Sequence, residues 1–186
     1  MIASKTQNYL SPEAYLEGEK VSLIKHEYIQ GEIYAMAGAS DAHVMIVINL
    51  LTLLRNHLRG SGCRIYASDM KARIETLDIF YYPDIMVTCD DRDSQFDYFK
   101  RYPCLIVEVL SESTESRDRG DKFADYRELS TLQEYVLISQ SRRRVECFRR
   151  NPQGQWVLFT YGLNQQLHLE SINFSCSVTD IYEDVK

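Results

Sequence analysis

The chain has 186 residues, 45% of them hydrophobic, and a net charge of −6. That length and composition suit one globular domain with a real core, expected to span residues 1–186. The acidic balance argues against a stoichiometric nucleic-acid coat protein, whereas an enzyme acting on nucleic acid needs only a local basic surface.

No apolar run approaches the roughly eighteen residues of a membrane span. The segment 1–20 also lacks the apolar core of a secretion signal. No membrane association and a cytoplasmic location are therefore expected. The cysteines, at positions 63, 89, 104, 147 and 176, are odd in number, and no pair has metal-knuckle spacing. They read as small buried apolar residues of a reduced cytosolic protein.

Ser11-Pro12-Glu13 predicts a helix start: a serine cap, proline in the first turn, and an acid at the positive dipole end. The helix is expected to reach about Glu17 and stop at Gly18. Residues 26–36 read as two short strands around a Gln30-Gly31 turn. Asp41 is placed as the cap of a helix from about Ala42 to Arg59. Its apolar residues, among them Val44, Ile48, Leu51 and Leu58, cover most of its circumference. Such a helix is central or lies under a partner subunit.

Strands are then predicted at Cys63–Ala67, Lys71–Glu75 and Phe80–Cys89, followed by a polar connection from Asp90 to Tyr102. Leu105–Leu110 reads as a strand buried on both faces, and 117–129 as a helix with Phe123, Tyr126 and Leu129 on one side. Further strands are expected at 134–139, 144–149 and 155–161, with a tight turn at Asn151-Pro152-Gln153-Gly154. The tail, 167–186, reads as one more strand and a short helical end. The class is α/β (α+β), with strands outnumbering helices.

Two acids stand out. Glu108 lies within Leu105-Ile106-Val107-Glu108-Val109-Leu110, and Asp84 within Tyr81-Tyr82-Pro83-Asp84-Ile85-Met86-Val87. A carboxylate in an apolar strand is costly unless it is paired or coordinates an ion. A shared cation would explain both, and so would two separate buried ion pairs. The acids are 24 residues apart on consecutive strands, so the strands are plausible sheet neighbours. Hard oxygen ligands suit Mg²⁺, with the Val109 carbonyl as a possible further donor. In the next helix Asp118, Lys122 and Tyr126 share a face. Lys122 is either an exposed partner of Asp118 or a point charge over the acid pair.

Pro83-Asp84 followed by Glu108-Val109-Leu110 resembles the signature of the PD-(D/E)xK nuclease superfamily. Residues 26–38, 41–51, 81–87, 104–114, 117–129 and 132–139 match in order the pattern of the Uma family of restriction-endonuclease-like proteins. The resemblance implies a restriction-endonuclease-like core, a mixed central sheet flanked by helices. It implies that Asp84 and Glu108 bind metal. The superfamily's lysine would fall at Leu110, and the Uma-like pattern supplies it from the following helix, where Lys122 stands. Glu27 matches an N-terminal acid that completes the site; on the residues alone it reads as a surface acid at a strand end. Tyr126 is placed beside the site or in the core. The family's strand after the helix often ends in Asp, where this chain has Ser139-Gln140.

The remaining candidates have ordinary explanations. His43 reads as a packing or local hydrogen-bonding residue. Asp69-Met70-Lys71 reads as a turn or cleft edge. The basic groups 142–144 and 149–150 read as solvated edge charge or a phosphate-contacting patch. The expected function is a Mg²⁺-dependent endonuclease on DNA, with Mn²⁺ as substitute ion and a homodimer as the assembly. A nuclease-like binding module without turnover is the rival.

Overall fold

A computed structural model describes residues 9–186; the first residues of the N-terminal segment discussed above lie outside it. Helix α1 (Pro12–Glu19) is capped by Ser11, whose hydroxyl accepts the Ala14 N–H at 3.2 Å. Gly18 does not end it, and the chain stays right-handed through Lys20. Strands β1 (His26–Ile29) and β2 (Glu32–Ala35) form the expected hairpin. Its turn residues Gln30 and Gly31 both have positive φ, 49° and 89°, and a Cβ at Gly31 would strike the Tyr9 ring.

Helix α2 (Asp41–His57) begins one residue earlier than expected, because Ser40 rather than Asp41 is the cap. The Ser40 hydroxyl accepts the His43 N–H at 3.2 Å, and Asp41 sits in the first turn, where the dipole favours it. Ile46, Leu50 and Leu54 are fully buried, at about 1.5–3 kcal/mol each. Val44 and Ile48 on the opposite side are exposed.

After β3 (Arg64–Ala67) and β4 (Lys71–Ile74), the predicted strand Phe80–Cys89 proves to be two strands. β5 (Ile79–Tyr81) joins one sheet and β6 (Ile85–Thr88) another. Pro83 lacks an N–H for either ladder, so pairing stops and the chain crosses between sheets there. Asp84 therefore sits at a strand entrance rather than mid-strand.

The polar connection holds a 3₁₀ turn (Asp91–Gln95) and the short β7 (Phe99–Lys100), and β8 (Leu105–Leu110) follows. A parallel crossover joins β8 to β9 (Glu134–Ser139) through α3 (Glu115–Arg117), a π-helical turn (Asp118–Lys122) and α4 (Phe123–Tyr126). The helical stretch thus starts before Arg117 and ends before Leu129. β10 (Arg144–Arg150), β11 (Trp156–Gly162), the hairpin β12 (Gln166–Leu169) and β13 (Phe174–Ser177), and α5 (Val178–Ile181) complete the order.

Among the described residues the strands form a six-stranded mixed sheet, β11-β10-β9-β8-β6-β3, and a five-stranded sheet, β2-β1-β5-β4-β7. Only β8 and β9 run parallel in the larger sheet. One face, with Leu105, Val107 and Val109, packs on α2, the β12–β13 hairpin and α5. The other, with Ile106 and Leu110, packs on Tyr126, Leu129 and the smaller sheet. Period-two alternation puts Glu108 on this second face. The α+β class and the mixed sheet flanked by helices are as expected. No helix among the described residues is long and apolar enough to cross a membrane.

Two further features bear on the expectations. Cys63 and Cys89 form a disulfide, which corrects the reading of all five cysteines as reduced. β3 and β6 pair antiparallel with Arg64 opposite Thr88, so the next pair outward brings these cysteines face to face, Cα atoms 4.1 Å apart. Cys104, Cys147 and Cys176 are free and buried. At the edge of the larger sheet, β11 exposes Val157, Leu158 and Phe159 in succession.

Candidate active site

The break at Pro83 aims Asp84 across the ladder at Glu108. Ile85 is paired with Val107, so Asp84 lies opposite Glu108 in register, and its N–H donates to Glu108 Oε2 at 3.3 Å. Asp84 Oδ2 accepts the Val109 N–H at 2.7 Å, and Oδ1 lies 2.9 Å from His43 Nε2. Val109, expected to contribute through its carbonyl, meets the acid pair through its N–H.

Lys122 joins them from the crossover helix. Its ammonium lies 2.9 Å from Glu27, 3.2 Å from Glu108 and 3.6 Å from Asp118, and 5.3 Å from the Tyr81 ring centroid. The reading of Lys122 as an exposed partner of Asp118 is overturned: both are buried. So is the surface reading of Glu27, which is 4% exposed and also pairs with Arg117 at 2.7 Å. Tyr126 belongs to both site and core: it is fully buried, and its hydroxyl donates to Glu108 Oε1 at 3.1 Å.

Carboxylates outnumber cations here: Glu27, Asp84, Glu108 and Asp118 surround Lys122 and Arg117. Burial pushes Glu108 up to about 8; Lys122 opposes the shift, and Asp84, Asp118 and Glu27 add to it. Burial raises Asp118 as well, again against Lys122. For Lys122 burial works against the ammonium, yet Glu108, Glu27 and Asp118 hold its pKa above the ordinary value. The site carries a fixed positive charge beside a carboxylate pair, one member of which readily holds a proton.

Access is from the Asp84 end. The Asp84 and His43 side chains are each 16% exposed, against 5% for Glu108. Among the described residues no three His, Cys, Asp or Glu side chains form a ready metal cage. Mg²⁺ is commonly held by one or two carboxylates, with waters and substrate phosphates completing the octahedron, and an Asp–Glu pair meets that requirement.

The Uma2 family model, described as "Putative restriction endonuclease", matches residues 12–179. The chain belongs to the Uma2 family. Two Synechocystis proteins are similar to it, both described as uncharacterised. One, slr1290, is 44% identical over 93% of this chain and 91% of its own. The other, sll1609, is 37% identical over 85% of this chain and 90% of its own. A solved structure from Anabaena variabilis, described as "a putative nuclease belonging to DUF820", shares the fold at a TM-score of 0.69 and 17% identity. It covers 87% of this chain and 92% of that one.

On this Uma2 member, sequence reasoning assembled Asp84, Glu108, Lys122 and Glu27 but missed His43, Gln140, Arg117 and Asp118 as neighbours of the site. Asp118 was legible as an i, i+4 partner of Lys122, though not its burial. His43 carried one signal, its place in the first turn of a capped helix. Three of the other candidates have ion-pair partners of their own. Asp69 pairs with Lys25, Arg144 bonds Glu146 at 2.6 Å and Arg149 bonds Glu134 at 2.8 Å.

Proposed function

We propose that this Uma2 protein is a Mg²⁺-dependent endonuclease that hydrolyses phosphodiester bonds in DNA. The observation that carries the reading is the convergence of Asp84, Glu108 and Lys122 from a strand entrance, a central strand and the crossover helix. Asp84 and Glu108 would hold the ion, with Val109 beside them, and Mn²⁺ would substitute. When bound, such an ion polarises the phosphate and lowers the pKa of a bound water.

The chain's own groups do the rest. Lys122 presents a compact positive charge beside Glu108, where it stabilises charge building on the phosphate. Glu27 and Asp118 hold that ammonium in place, and Arg117 fixes Glu27. Tyr126 and the Asp84 N–H orient the Glu108 carboxylate.

The test compares wild type with Asp84→Ala on plasmid and single-stranded DNA, with Mg²⁺ and with Mn²⁺. Wild type is expected to cut, and the variant to lose about 10²–10³ in rate. Wild type that binds DNA but never cuts it, with either ion, would favour the binding-module reading. A homodimer is part of the proposal, supported by exposed Val44 and Ile48 on α2. Light scattering is expected to give twice the chain's mass, and Ile48→Asp to halve it; a monomeric wild type would remove the dimer.

A further inference from the structure

Gln140 and Ser40 form a hydrogen-bonded chain behind His43. Gln140 Nε2 donates to the Leu110 carbonyl at 2.8 Å. A carbonyl only accepts, so this contact fixes the amide orientation and leaves Oε1 facing Ser40 Oγ at 2.6 Å. The Ser40 hydroxyl already accepts the His43 N–H as the helix cap, so its own proton goes to Gln140. The second Gln140 N–H faces His43 Nδ1 at 3.4 Å, which makes Nδ1 an acceptor. The ring proton therefore sits on Nε2, 2.9 Å from Asp84 Oδ1.

We infer that His43 is a positioning residue for the Asp84 carboxylate, locked by Gln140 and Ser40 as the Nε2–H donor and so not itself a metal ligand. Two donors on separate elements then grip Asp84. The Val109 N–H from β8 takes Oδ2, and the His43 ring from α2 takes Oδ1. Together they set the plane of the carboxylate and leave its remaining lone pairs for an ion. The role toward the ion rests on the function proposed above.

The experiment has two arms, both on the full chain. Long-range ¹H–¹⁵N correlation spectra of the His43 ring in the metal-free protein, assigned with His43→Gln, are expected to show a protonated Nε2. Mn²⁺ affinity, read from the electron paramagnetic resonance of free ion, is then compared among wild type, His43→Leu and His43→Gln. His43→Leu is expected to weaken binding about 10–100-fold without moving the thermal midpoint appreciably, and His43→Gln, which keeps an N–H near the Nε2 position, to restore most of it. An Nδ1–H ring overturns the inference. So does His43→Leu with wild-type affinity, or His43→Gln as weak as His43→Leu, which would make the ring nitrogen a ligand. Wild type that binds no Mn²⁺ would instead overturn the metal site, and the ring spectrum would decide the tautomer by itself.

Discussion

Replacing Lys122 by methionine is expected to destabilise the protein by about 3–5 kcal/mol at pH 8 and above, where Glu108 ionises, and, on the function proposed above, to abolish cleavage. Its ammonium is the shared partner of Glu27, Glu108 and Asp118. Methionine fills much of the same volume, so the loss reports charge rather than a cavity. Arg117 still pairs with Glu27, but Glu108 and Asp118 are left buried without a cation. Those acids can escape by protonation, so the deficit should shrink as pH falls. Urea unfolding of wild type and variant at pH 5 and pH 8 checks both parts. Equal stability at pH 8 would mean that Lys122 is not the hub of the site. Lys122→Arg should recover little, because a planar guanidinium does not fit a space built for a compact ammonium.

Glu108→Gln is expected to behave in the opposite way. The variant should fold, be at least as stable as metal-free wild type at pH 8, and show none of the thermal stabilisation by Mg²⁺ that the proposed metal site predicts for wild type. Carboxylates exceed cations around it, and Lys122 keeps Glu27 and Asp118 when Glu108 is neutralised. The pH dependence follows from the raised pKa. A carboxyl lifted from 4.5 to about 8 in the folded protein binds its proton more tightly there than in the unfolded chain. Its stabilising contribution is full below the ordinary carboxylate range and is lost as pH rises through about 8. Wild type without metal should lose stability across that window, and Glu108→Gln should lose much less. A variant that fails to fold would make Glu108 a structural ion-pair member instead.

Much of this was legible in the sequence because its signals are local. Leu105–Leu110 reads as a doubly buried strand from six consecutive residues, and Glu108 is conspicuous within it. The Lys122 helix could be placed because aromatic spacing marks its inner face. What the sequence hid is long-range. Pro83 announces a break, but nothing local says that the chain changes sheets there, which is what turns the Asp84 N–H toward the Glu108 carboxylate. Glu27 looks like a polar end of a short strand until Lys122 and Arg117, some ninety residues away, are folded over it. His43 and Gln140 are 97 residues apart and meet only through the packing of α2 against the end of β9. The disulfide was missed for the same reason: Cys63 and Cys89 are brought together by strand register, which spacing does not reveal.

The outer edge of β11 has a bearing on handling the protein. Gln155 to Gln166 contains no charged residue, and Val157, Leu158 and Phe159 are exposed in a strand with no neighbour on one side among the described strands. Edge strands are commonly guarded by lysine, proline or a bulge, and this one is not. Concentrated stocks are therefore expected to stack sheet edge to sheet edge, a colloidal process that continues past two chains if the contact does not close on itself. A lysine at Phe159 would block that stacking without touching α2, separating adventitious growth from a defined pair.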